Sequence, residues 1–107
     1  MNKPKLYISG AITGKPDLNR TKFANATKTF RDLGYIVVNP HEICYDLKED
    51  EWNQCMRRCI IALMDCDTVI LLDDWQSSTG ATVEYQLAFG IGMEVFNIDL
   101  FLKCIQP

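Results

Sequence analysis

The stretch Leu6-Tyr7-Ile8-Ser9-Gly10-Ala11-Ile12-Thr13-Gly14 and the later Ser77-Ser78-Thr79-Gly80-Ala81-Thr82-Val83-Glu84 decide the fold. Each reads as a buried strand or its exit, then a small-residue loop, then a helix. Two such exits side by side in a parallel sheet make a cleft lined by backbone N–H groups at helix starts, which suits an anionic or hydroxyl-rich ligand. Outward from these runs, Phe23, Ala26, Phe30 and Leu33 recur at helical spacing, with Asp17 or Asn19 as the expected cap and Gly34 as the stop. Tyr35-Ile36-Val37-Val38 is a continuous apolar run, as a strand covered on both faces requires, and Asn39-Pro40 ends it. His41 to Glu51 is polar and irregular. Trp52, Cys55, Met56, Cys59, Ile60 and Leu63 form an amphipathic helical stripe. Thr68-Val69-Ile70-Leu71-Leu72 is a third buried strand. A helix follows from about Thr79 to Gly90 or Gly92, then a short strand over Glu94 to Ile98 and a last helical turn or two over Leu100 to Ile105. The alternation predicts an α/β fold of three layers: a parallel sheet of about four strands in the order 2-1-3-4, with helices on both faces.

At 107 residues the chain makes one domain, 1–107, large enough for a real core. A net charge of −3, with Lys and Arg scattered, argues against a nucleic-acid polymer as partner. No window reaches the roughly 18 apolar residues of a membrane span. Met1-Asn2-Lys3-Pro4 leads straight into a strand rather than a secretory leader, so a cytoplasmic protein is expected. Five cysteines, an odd number without a C-x-x-C pair, suit a reducing compartment. Cys55 and Cys59 offer two sulfurs on one helical face, a spacing compatible with metal ligation. With one histidine in the chain, Cys55, Cys59 and Cys66 are read instead as small buried apolar side chains, and no metal or cofactor is assigned.

The carboxylate at Glu84 stands out. Its neighbours along the helix are Ala81, Ala88 and Ile91, so it shares a face with small and apolar residues rather than with the solvated side. The alternative is an ordinary surface glutamate. A partly desolvated carboxylate near a helix N-terminus can act as a nucleophile toward a sugar anomeric carbon. Ser77, Ser78 and Gly80 supply hydroxyls and N–H groups at the same helix start, and Ser9, Gly10 and Gly14 form the facing loop. Neither loop is a dinucleotide fingerprint or a P-loop, because G-x-G-x-x-G is absent and Pro16 stands where Ser or Thr is needed. Tyr7 is either a cleft phenol or a core residue. Asp73 and Asp74 leave the third strand at the ligand-binding edge and are candidates for moving a proton; they are equally read as solvated loop residues. Trp75 is placed to stack on a base or to anchor the core, and Asn39 leaves the second strand at the same edge.

Together, Tyr7-x-x-Gly10-x-Ile12-x-Gly14, Gly34-Tyr35-x-Val37-x-Asn39-Pro40, Cys66-Asp67-x-Val69-x-Leu71-Leu72, Trp75 and Ser78-x-Gly80-Ala81-x-x-Glu84 resemble the small phage and bacterial domains grouped with the nucleoside 2-deoxyribosyltransferases. The resemblance covers residues 5 to about 95. It implies a flavodoxin-like Rossmannoid fold and cleavage or transfer at the N-glycosidic bond of a nucleoside or nucleoside 5′-monophosphate. It implies that Glu84 is the nucleophile, Ser78 a phosphate contact, and Tyr7 and Gly10 first-loop substrate contacts. It also implies a homo-oligomer, a dimer or larger. In such domains an Asp commonly follows an Arg-Arg pair on the helix before the third strand; here the sequence is Arg57-Arg58-Cys59. A thiol is a poor acid/base substitute at neutral pH. Either Asp73, Asp74 or Asp67 takes that part, or the chain binds nucleotides without turning them over.

Overall fold

A computed structural model describes residues 3–105. Four strands, β1 (Leu6–Ser9), β2 (Val37–Val38), β3 (Thr68–Leu71) and β4 (Glu94–Asn97), form one all-parallel sheet in the order β2-β1-β3-β4. The helices are α1 (Arg20–Asp32), α2 (Pro40–Ile43), α3 (Trp52–Met64), α4 (Thr79–Gly90) and α5 (Ile98–Ile105). This is a Rossmann-like α/β fold with the expected strand order.

Period-two alternation along the strands sorts side chains to two faces. Leu6, Ile8 and Ile70 join Phe23, Phe30 and Phe101 in one apolar cluster under α1 and α5. Tyr7, Val69 and Leu71 join Cys59, Leu63 and Ala88 in a second cluster under α3 and α4. Both faces of β1 and β3 are covered, which is why they are apolar but for Ser9 at the end of β1 and Thr68 at the start of β3. Gly34 ends α1 with φ +94°, the left-handed conformation that favours glycine.

The expected cap of α1 is different in kind. Asn19 occupies the cap position in a left-handed conformation (φ 56°) and makes no side-chain cap. Asp17 and Leu18 before it are also left-handed, with φ 55° and 51°. The amide of Asn19 donates instead to Ala11 O at 2.7 Å and to Asp74 Oδ2 at 2.8 Å. Ordering the loop after β1 takes the side chain that would otherwise have closed the helix end. The polar segment after β2 contains the short helix α2, where Pro40 follows an Asn39 cap whose Oδ1 accepts the N–H of His41 at 2.9 Å. No helix among the described residues is long and apolar enough to cross a membrane.

Candidate active site

Glu84 lies in the second turn of α4, and Ala81 and Ala88 beside it are buried, so that face turns toward the sheet. Glu84 is itself only 5% exposed. β1 meets it there: the hydroxyl of Ser9 donates to Glu84 Oε1 at 2.8 Å, and the phenol of Tyr7 donates to Oε2. Tyr7 and Ser9 are two residues apart on one strand, so they point to one face, and both are fully buried. Every fully buried side-chain polar atom among the described residues has a hydrogen-bond partner.

Burial pushes the Glu84 carboxyl up to about 7, against the pull of the two hydroxyl donors, which favour the ionised form. Burial first, then the nearby Glu84 charge, holds the Tyr7 phenol well above its ordinary range. Tyr7 is therefore a hydrogen-bond donor at any physiological pH. Cys59, one helix away, is pushed up to about 11, mainly by burial.

Glu84 opens onto a small cavity of about 70 Å³ walled by Gly10, Ser78, Gly80, Ala81, Met56 and Cys59. The loop after β1 and the start of α4 thus border one crevice. The Ser78 side chain caps α4 by accepting the N–H of Ala81 at 3.1 Å, which leaves its own proton for a ligand oxygen. A Cβ on Gly80 would lie 3.0 Å from Met56 Sδ, and one on Gly10 would lie 2.9 Å from Leu72 Cβ. Both glycines are set by close packing. The small cavity shares Ile12, Thr13, Pro40, Trp52 and Cys55 with a larger one of about 230 Å³, whose walls add Arg20, His41, Lys48 and Glu49. His41 sits beside the Leu18 carbonyl at 3.0 Å, and burial, then the Arg20 charge, lowers its pKa. The sequence did not single out Arg20, Lys48, Trp52 or Met56; an irregular segment and an ordinary amphipathic stripe gave no signal for them.

Other candidates lie elsewhere. Asp74 accepts from the N–H of Ala11 at 3.0 Å, from Asn19 and from Lys22, and these donors outweigh burial to hold its carboxyl below the usual range. Asp73 is exposed and paired with Lys22. Asp74 is thus tied to the loop after β1 and Asp73 to α1, and neither lines a cavity beside Glu84. Asp67 accepts from the Lys5 N–H at 2.8 Å, a structural role. Trp75 packs on Tyr85 with ring centroids 4.7 Å apart. Asn39 caps α2, Ser77 turns back onto the Asp74 carbonyl at 2.8 Å, and Gly14 supplies a turn with φ +81°.

The cysteines require a correction. Cys44, just after α2, and Cys55 in α3 form a disulfide, with Cα atoms 5.6 Å apart. Cys55 is therefore not a free buried thiol. Its partner was not legible because it comes from the irregular segment, eleven positions away. Cys59 and Cys66 are free and buried as expected.

Residues 4–97 match the family model described as Domain of unknown function (DUF4406). The chain belongs to this DUF4406 family. No curated protein matches it. The DUF4406 match runs from just before β1 to the end of β4, so all the strands and the whole Tyr7–Ser9–Glu84 arrangement fall within the family's span.

Proposed function

We propose that the protein cleaves or transfers the N-glycosidic bond of a nucleoside or nucleoside 5′-monophosphate, with Glu84 as the nucleophile. The observation that carries this reading is a buried carboxylate, held by two hydroxyls, at the edge of a crevice formed by two strand exits. An oxygen of ionised Glu84 attacks C1′, and the C1′–N bond breaks with its electron pair passing to the base, which takes a proton from solvent. Water, or a second base, then attacks C1′, gives up a proton to solvent and releases Glu84 as a carboxylate. Ser78 and the N–H groups at the start of α4 suit a sugar or phosphate oxygen. Arg20 and Lys48 on the larger cavity outnumber Glu49 on the same wall, which leaves a field favourable to an anionic group. The same reading includes a homo-oligomer; Ile61 and Phe89 leave apolar area on α3 and α4 for a second copy to cover.

One observation favours a second reading, nucleotide binding without turnover. Among the described residues, Glu84 is the one carboxylate on the smaller cavity, where Cys59 stands instead of a second acid. General acid/base help is worth about 10²–10⁴-fold, so its loss weighs heavily on rate. The test is incubation with a panel of nucleosides and 5′-monophosphates, following free base by chromatography and thermal shift in parallel. Base release that falls by about 10³-fold or more in Glu84→Gln supports the enzyme. A thermal shift without base release supports the binder, and neither signal with any compound overturns both.

A further inference from the structure

Cys44, Cys55 and Cys59 bring three sulfurs within 4.8 Å of one another; Cys55 lines both cavities, Cys44 the larger and Cys59 the smaller. Cys55 and Cys59 stand one turn apart on α3, and Cys44 reaches them from the end of α2. Cys59 Sγ lies 3.7 Å from Cys44 Sγ and 3.9 Å from Cys55 Sγ. It therefore sits beside the Cys44–Cys55 bond, nearly equidistant from its ends. A thiolate exchanges with a disulfide by attacking one sulfur from behind the bond to the other, and Cys59 is not so placed.

The same two separations suit another chemistry. Sulfurs bound to one tetrahedral zinc ion at about 2.3 Å are about 3.8 Å apart. Two edges of such a triangle are already present, and breaking the Cys44–Cys55 bond frees the third to open. We propose that Cys44, Cys55 and Cys59, once that disulfide is reduced, hold a thiophilic divalent cation of the zinc class through three thiolates, leaving its fourth position toward the cavity. Three thiols give up three protons to solvent and bind the cation without any change of oxidation state. Reduction comes first and separately: a dithiol or phosphine reductant supplies two electrons, and the two sulfurs take up two protons. Three thiolates and a divalent cation carry a net single negative charge, which Arg20 and Lys48 on the larger cavity oppose. Disulfide and metal are then alternative ties between α2 and α3, and the redox state selects between them.

The experiment uses the full chain carrying Cys104→Ser, which removes the exposed thiol. The protein is reduced with a phosphine, freed of reductant under inert gas, and titrated with Zn²⁺ against a chromophoric chelator. A parallel titration with Cd²⁺ reads sulfur-to-metal charge transfer in the ultraviolet. The expected result is one equivalent bound, with a band of three-thiolate intensity. Cys59→Ser should weaken binding by more than the roughly 10- to 100-fold that loss of a supporting hydrogen bond costs. The same Cys104→Ser chain left oxidised, with Cys59 intact, should bind at least as weakly, a comparison that does not depend on the Cys59 variant folding. Absence of saturable binding by the reduced protein, equal binding by the oxidised protein, or full affinity in a folded Cys59→Ser variant would overturn the proposal.

Discussion

The phenol of Tyr7, fully buried on β1, donates a hydrogen bond to the carboxylate of Glu84 on α4, across 77 positions of sequence. This contact ties the first strand to the fourth helix and, against burial, favours the ionised form of the one acid among the described residues on the smaller cavity.

Tyr7→Phe keeps the ring in place and removes that donor. A hydrogen bond to a charged group is worth about 1.5–3 kcal/mol. The Glu84 carboxyl, already near 7, should move higher, because the lost donor favoured its ionised form. Carboxyl carbon shifts followed by NMR against pH would show the change; an unmoved midpoint would contradict the geometry. Any activity that needs ionised Glu84 should shift its pH midpoint upward by the same amount.

Glu84 also leaves a signature in stability. Its folded value of about 7 lies above the ordinary 4.5, so the folded state holds this proton more tightly than the unfolded chain does. The contribution is fully present below about pH 4.5 and is lost as pH rises through about 7, a total of roughly 3 kcal/mol. Glu84→Gln cannot titrate and should lack this fall. Urea unfolding at about pH 5 and about pH 8 separates the two: the wild type should weaken more than the variant between those points.

Gly10→Ala tests the packing behind the crevice. The added Cβ would meet Leu72 Cβ and Cδ1, each at 2.9 Å, and Leu72 is only 2% exposed. Overpacking of this kind costs about 1–3 kcal/mol. Thermal or urea unfolding should register that loss, and an unchanged midpoint would mean that β1's exit is looser than described.

The architecture was largely legible because both central strands are covered on two faces. Their apolar runs alternate with clear helical stripes, and that alternation admits few parallel topologies. The burial of Glu84 was legible for a local reason, since Ala81 and Ala88 mark the inward face of α4. What sits opposite Glu84 was not. Period two places Tyr7 and Ser9 on one side of the sheet, but it does not say which helices pack there. Asp74 reads like a free acid at a sheet edge, yet three donors from the preceding loop and helix occupy it. Cys44 lies in a stretch without periodicity, so nothing local pointed it at α3.

Asp17, Leu18 and Asn19 keep a left-handed backbone, which costs a residue such as Leu18 about 1–2 kcal/mol, and Asp74 grips Asn19 through its amide. The turn leaving β1 thus behaves like a sprung latch whose catch belongs to the turn leaving β3. Leu18 is part of the larger cavity's wall, so the latch and that wall have a residue in common. Rigidity at the mouth of this protein is borrowed from a neighbouring segment.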